Sequence, residues 1–146
     1  MCDYCDCRRV PEIADLGAEH ERIEELGDEA LRLAKAGSPE FPAALDRLRA
    51  ALEPHVTREE KGVFAQARIA GLGSYYVDDL EEDHRRFATI LDVGADIDAI
   101  TLERLLDDLH RHIAVEEYDL FPAAVQVLTD SQWEAIESGR SGAAVG

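Results

Sequence analysis

Apolar residues recur at steps of three and four along most of the chain, with charged residues between them, and this spacing is typical of amphipathic α-helices. It predicts four long helices and one short C-terminal helix, over about 11–35, 39–70, 74–93, 101–128 and around Trp133. No alternation with a period of two competes with this pattern, so strands are not expected. The predicted fold is therefore all-α, an antiparallel up-down-up-down four-helix bundle with a short C-terminal helix.

Residues that start or stop helices support these boundaries. Gly37 is expected to end the first helix, and Ser38, followed by Pro39, to cap the second. Thr101 is the expected N-cap of the fourth helix, and either residue of Asp130-Ser131 that of the last. The chain thus divides into a Cys-containing segment, the bundle and a flexible tail, over 1–10, 11–137 and 138–146.

The composition narrows the class of protein. The chain has 146 residues, 46% of them hydrophobic and 32% charged, which is enough apolar material for a single core and unlike a disordered protein. Its formal net charge is −17, so nucleic acid and anionic membrane surfaces are not expected partners. The sequence contains neither a signal-peptide layout nor an apolar run long enough to span a membrane, and a cytoplasmic location is expected.

A repeat distinguishes the helices chemically. Segment 55–67 has the pattern His-x3-Glu-Glu-x2-apolar-Phe-x2-Ala, and segment 112–124 repeats it. Segments 13–28 and 77–92 also match, each with a single histidine, His20 in the first and His84 in the second. The chain is therefore two copies of a helical hairpin, each contributing a lone histidine and then a His-x3-Glu pair.

The bundle topology brings these residues to one level. Residues equidistant from a turn lie at the same height in an antiparallel pair, and His20 lies about 18 residues before the turn near Ser38 while His55 lies about 17 after it. The same holds for the histidines on either side of the turn near Asp96. Since positions i and i+4 share a helix face, six side chains are expected in one inward-facing layer: His20, His55, Glu59, His84, His112 and Glu116.

Such a layer predicts a metal site. A buried carboxylate costs several kcal/mol unless it is paired or bound to a cation, whereas a metal ion supplies the missing charge. Two carboxylates that can bridge favour two ions rather than one. Imidazole with carboxylate suits iron, zinc, copper or manganese, so the ligand types leave the metal open.

The four histidines and two glutamates on four helices resemble the hemerythrin-like, or HHE cation-binding, family over residues 11–128. The resemblance implies two iron ions joined by an oxo or hydroxo bridge and by both glutamates, with zinc or manganese less expected, and it implies O2, NO or peroxide as ligand. Oxygen-carrying hemerythrin has a second histidine where this chain has Ala88, and an aspartate where it has Glu117. The ligand set is closer to that of bacterial iron-centre repair proteins.

The missing histidine affects the expected function. With two imidazoles, two carboxylate oxygens and one bridging oxygen, each iron of the implied centre keeps an open position. This favours NO capture, a peroxidase- or catalase-like reaction, or iron-centre repair, in oxidative or nitrosative stress. An O2-binding or sensing module, and a zinc-stabilised structural or interaction domain, remain as alternatives.

Several residues near the motifs are assigned other roles. His110, two positions before His112, is expected to face outward. The acidic neighbours Glu24, Glu60 and Glu117 are expected to be solvated or to hydrogen-bond a ligating imidazole. Tyr75, Tyr76 and Tyr118 are expected to pack at interfaces. Phe64 and Phe121 are expected to keep water from the site.

The three cysteines form the remaining motif. Cys2, Cys5 and Cys7 are too close together for a disulfide framework. Three neighbouring thiols could bind a soft metal, exchange disulfides or pass electrons to a redox partner, and the alternative is a frayed terminus without chemistry.

Overall fold

The computed structural model describes residues 9–145, with side chains to residue 139, so the three cysteines lie outside the described residues. All regular structure in this part of the chain is helical, which confirms the all-α prediction. The α-helices are α1 (Pro11–Lys35), α2 (Phe41–Lys61), α3 (Val63–Ile69), α4 (Asp78–Leu91), α5 (Ala99–Val115), α6 (Phe121–Val127) and α7 (Asp130–Val145). Two π-helical turns (Gly73–Val77 and Glu116–Leu120) and a 3-10 turn (Gly94–Asp96) complete the regular structure.

The helices pack as an antiparallel bundle. Helix α1 packs against α2 and α5, and α4 packs against the same two helices, while α7 closes one end against α1 and α3. The buried apolar residues form two clusters, one including Ile23, Leu48 and Leu105, and the other including Leu16 and Phe64. No helix in residues 9–145 is long and apolar enough to cross a membrane.

The first turn of the bundle follows the sequence closely. Gly37 adopts a φ of +61°, a conformation that favours glycine, and the following Ser38 N–H donates to Leu33 O at 3.0 Å, which ends α1. Helix α2 begins at Phe41, not at Pro39. The prediction of Ser38 as its N-cap is wrong, because the Ser38 hydroxyl accepts from Glu40 N–H at 3.1 Å in the turn ahead of the helix.

Two later helix starts also differ from the prediction. Asp98 caps α5, with its carboxylate accepting from Thr101 N–H at 2.7 Å, so Thr101 is a donor in the first turn and not the cap. Thr129 caps α7: its hydroxyl accepts from Gln132 N–H at 3.2 Å, and the Gln132 side chain accepts from Thr129 N–H at 3.0 Å.

The C-terminal segment is more regular than expected. Helix α7 continues to Val145, past Ser138, where a flexible tail is predicted. Gly139 lies within it, and a glycine lowers helix stability by only about 1 kcal/mol relative to alanine, which does not end a helix as proline does.

Both His-x3-Glu helices are interrupted at the same position of the repeat. Gly62 separates α2 from α3 with φ −102° and ψ −101°, three residues after Glu59. The equivalent stretch of the other copy is the π-helical turn Glu116–Leu120, closed by the Phe121 N–H donating to Glu116 O. These interruptions divide the second and fourth predicted helices, and π-helical turns of this kind are frequent at functional sites.

Candidate metal centre

The six predicted ligands converge between the two apolar clusters. Each is buried, with exposed fractions from 0% to 5%: His20, His55, Glu59, His84, His112 and Glu116. They come from α1, α2, α4, α5 and the π-helical turn that follows α5.

These side chains form two overlapping groups of four. Ligand atoms of His20, His55, Glu59 and Glu116 all lie within 4.8 Å of one another, and so do those of Glu59, His84, His112 and Glu116. Both groups share the two glutamates, while each has its own pair of histidines. The arrangement therefore has two candidate metal positions, which we call the 20/55 position and the 84/112 position after their histidines.

Glu59 faces histidines of both positions. Its Oε2 atom lies 3.4 Å from His20 Nε2 and 3.3 Å from His55 Nε2, while its Oε1 atom lies 3.2 Å from His84 Nε2. One carboxylate thus directs one oxygen toward each position, as a bridging ligand does.

Glu116 joins the two sides in a similar way. Its Oε1 atom lies 3.3 Å from His20 Nε2 and 3.1 Å from His112 Nε2. The Nε2 atoms of His84 and His112 are 3.0 Å apart. All four imidazoles therefore direct the same nitrogen into the cluster.

The chemistry of the buried oxygens fits a cation. Among the described residues, no hydrogen bond reaches Glu59 Oε1 or either carboxylate oxygen of Glu116. A buried polar atom without a partner is costly, and a buried carboxylate more so. Two metal ions bound by both carboxylates would satisfy these oxygens, so the residues present fit a dinuclear centre.

Three of the four imidazoles are held from outside by another carboxylate. His20 Nδ1 donates to Glu117 at 2.7 Å and His55 Nδ1 donates to Glu19 at 2.6 Å. His112 Nδ1 donates to Asp83 at 3.0 Å. Because a carboxylate only accepts, each bond fixes the ring and leaves the Nε2 atom for a metal.

The fourth imidazole lacks this support. His84 Nδ1 lies 3.8 Å from Glu60, beyond hydrogen-bond distance, and has no hydrogen-bond partner among the described residues. In the repeat, Glu60 corresponds to Glu117, which does bond its histidine. The two copies therefore differ at this contact.

Arg58 adds a second difference between the copies. Its guanidinium binds both carboxylate oxygens of the fully buried Glu12, each at 3.0 Å, and also Glu19, the residue that holds His55. The equivalent residue in the other copy is Val115, which is 40% exposed. Among the described residues, the outer carboxylate of the 84/112 position also has an arginine partner, Arg86 at 3.0 Å from Asp83, but Arg86 is 46% exposed whereas Arg58 is 16% exposed.

Aromatic rings cover the cluster at one end. Phe64 stacks on His84 with ring centroids 5.4 Å apart, and Phe121 stacks on His20 at 6.1 Å. Both phenylalanines are fully buried, as expected for residues that exclude water from the layer.

The electrostatics of the metal-free cluster follow from these contacts. Burial alone lowers the pKa of an imidazole, but the neighbouring carboxylates outweigh it, raising the pKa of His55 to about 9 and that of His112 to about 10. The pKa of His20 is also raised, against the effect of burial, by the neighbouring carboxylates of Glu116, Glu117 and Glu59. Burial likewise opposes ionisation of Glu59, yet His55 and the other histidines hold its pKa well below the usual range. Protons thus take the place of cations in the metal-free chain.

Two of the three outer carboxylates, Glu19 and Asp83, are functional candidates that the sequence analysis missed, whereas Glu117 was among the residues considered as partners of an imidazole. Glu19 and Asp83 immediately precede the lone histidines of the two copies, and each bonds the His-x3-Glu histidine of the adjacent helix. Their matching places in the repeat are the signal that could have found them.

Other candidates lie away from the cluster. The side chain of His110 is 75% exposed, and its Nδ1 atom lies 2.9 Å from Glu24 Oε1, so neither residue joins the buried cluster. Tyr75 and Tyr118 are 81% and 58% exposed. Tyr76 packs beside the second apolar cluster, and Tyr75 contacts it edge to face.

Comparison with protein families identifies a match over most of the chain. The sequence profile of the hemerythrin HHE cation-binding domain matches residues 11–124, a range that includes all six buried ligands. No significant match was found among curated proteins or among solved structures.

Proposed function

The chain belongs to the hemerythrin HHE cation-binding domain family, and we propose that it holds two iron ions and binds O2, NO or peroxide as part of an oxidative or nitrosative stress response. The observation that carries this proposal is the pair of overlapping four-residue groups with both glutamates in common. Each group supplies two imidazoles and two carboxylates, a donor set that suits non-haem iron with open positions.

The protein's own residues would hold and separate the ions. His20 and His55 would bind one ion, His84 and His112 the other, and the two glutamates would bind both. Bound iron would supply the change of oxidation state and the open coordination positions that a small ligand needs. The stacked phenylalanines and the two apolar clusters keep bulk water from the layer, and the outer carboxylates keep the imidazoles oriented.

Zinc is the second candidate, and one observation favours it. Two imidazoles and two carboxylates make four ligands at each position, which is the usual number for zinc. A zinc-loaded chain would be a structural or interaction domain without redox chemistry.

Metal content and the absorption spectrum of the protein purified in air decide between these functions. Two iron ions per chain with near-ultraviolet charge-transfer bands, altered by added NO or peroxide, are expected. Two zinc ions in a colourless protein would contradict the redox proposal and support the structural alternative. Less than one metal ion per chain after incubation with either ion would contradict both.

A further inference from the structure

A cavity reaches the 84/112 position from the side of the bundle. It has a volume of about 220 Å³, lies between α2 and α4, and includes His84 in its wall. Its apolar lining consists of the buried Leu52, Phe87 and Leu91, the partly buried Val56 and the exposed Ala88. His84 therefore connects the cavity directly to the buried cluster.

The charged residues among the described lining are more exposed than Leu52 and Phe87: Arg49, Glu53 and Asp92. Arg49 donates to Asp92 at 3.2 Å, and these two residues line the cavity as well. Asp92 is largely exposed, with 74% of its side chain accessible. A small uncharged molecule would meet charge near the opening and apolar groups farther in.

The internal repeat supplies a matched comparison on the other side of the bundle. The equivalent groove, between α1 and α5, has a volume of about 360 Å³, but none of the described residues lining it is a metal ligand. Where α4 has Ala88, four residues after His84, α1 has Glu24, four residues after His20. Glu24 pairs with His110 at 2.9 Å within that groove.

The α2–α4 cavity and the α1–α5 groove differ in the size of the side chain four residues after the lone histidine, Ala88 in the first and Glu24 in the second. Residues i and i+4 of a helix lie on the same face, so the residue at position 88 stands beside the approach to His84. Alanine leaves that approach free, whereas the Glu24–His110 pair occupies the corresponding space.

We propose that the α2–α4 cavity is the route by which a small uncharged ligand reaches the 84/112 metal position, and that Ala88 keeps this route open. The inference rests on the proposed function, because it assigns the ligand of that centre to one of its two ions. His84 lines this cavity, and its Nδ1 atom has no hydrogen-bond partner among the described residues. The histidine beside the proposed route is therefore the one that no outer carboxylate holds.

Nitric oxide is the probe for the test. Its association with the reduced, iron-loaded full chain is followed by stopped-flow absorbance for the wild type, Ala88→Leu and Ala88→Phe. We expect the rate to fall with side-chain size, by at least tenfold in Ala88→Phe. Glu24→Leu, at the equivalent repeat position, is the matched control and should stay within twofold of the wild type. Ala88 is exposed, so both variants are expected to fold, and an unchanged iron content and spectrum would verify an intact centre.

An unchanged rate in both Ala88 variants, or a comparable slowing in Glu24→Leu, would overturn the inference. Xenon binding to pressurised crystals gives a readout that needs no iron. Xenon in the α2–α4 cavity of the wild type, absent in Ala88→Phe, supports the route, and any other pattern overturns it. A chain that takes up no iron would overturn the proposed function alone, since the xenon result still decides whether the cavity admits an apolar ligand.

Discussion

The 20/55 position is enclosed by two hydrogen-bonded outer carboxylates and a partly buried arginine, whereas the 84/112 position has one such carboxylate and a cavity beside it. The ligands themselves are equivalent, with two histidines on each side and two shared glutamates. The two copies of the hairpin thus retain the same candidate metal ligands and differ in the residues around them. The surroundings, rather than the donor set, make the two positions unequal.

The largest effect is expected from a change in a glutamate that both metal positions share. Glu59→Ala removes a carboxylate that faces both pairs of histidines, so we expect the chain to lose both ions rather than one. Metal content per chain measures this directly. His110→Ala is the control and should keep both ions, because His110 lies outside the cluster. Loss of only one ion from Glu59→Ala would show that the two positions are more independent than their geometry indicates.

Metal removal should make stability depend on pH in both copies. The pKa values of His55 and His112 are raised from 6.5 to about 9 and about 10, so their stabilising contribution is complete below pH 6.5 and is lost as the pH rises through 9 and 10. We expect the metal-free chain to lose about 3 kcal/mol of unfolding free energy for each of these two histidines between pH 7 and pH 10.

Urea unfolding with and without a chelator measures this difference. The metal-loaded protein should not show the loss over the same range, because metal ions replace the protons on these imidazoles. Equal pH dependence in the two forms would contradict the assignment of these histidines.

Arg58 should matter to stability in one copy only. Arg58→Ala removes the bidentate partner of the buried Glu12 and the group that positions Glu19, and we expect it to lower the free energy of unfolding by about 2–3 kcal/mol. The equivalent change in the other copy, Val115→Ala, affects a partly exposed residue and should cost less than about 0.5 kcal/mol. Chemical unfolding of the two metal-loaded variants measures both changes. Similar decreases in unfolding free energy would contradict the stability difference between the two copies.

The smallest expected effect is on metal affinity at the 84/112 position, where two acidic residues near the histidines can be compared. Asp83→Ala removes the hydrogen bond to His112 and is expected to weaken binding of one ion by about 10–100-fold. Glu60→Ala should change affinity much less, because Glu60 lies 3.8 Å from His84 Nδ1 and does not bond it. Metal titration against a competing chelator distinguishes them, and an equal weakening would indicate that Glu60 supports His84 after all.

The all-α fold and the convergence of the six ligands were predictable because both depend on local spacing. Helical periodicity locates the helices, and the repeat places the lone histidines and the His-x3-Glu pairs at one height. The contacts of the outer carboxylates were harder to predict. Glu19 on α1 bonds His55 on α2, and the two residues are 36 positions apart in sequence. Such contacts depend on the rotation of each helix about its axis, which periodicity defines only coarsely.

The helix interruptions and caps were missed for a different reason. Pro122 follows the π-helical turn Glu116–Leu120 and cannot donate to the Tyr118 carbonyl four residues before it, so an uninterrupted α-helix is disfavoured there. Helical periodicity alone does not register this. The capping errors arise where several polar residues compete: Asp98, three residues before Thr101, accepts the N–H of Thr101 itself.

The position of the polar layer has a consequence for folding cooperativity. The two apolar clusters lie on opposite sides of the ligands and share no buried residue, so the metal-free chain has two cores joined by a layer of charged groups. Bound ions would tie four helices together at that level, and the two cores would then open as one unit. Without them, each core can open separately, and amide hydrogen exchange should resolve two opening free energies where the loaded protein has one.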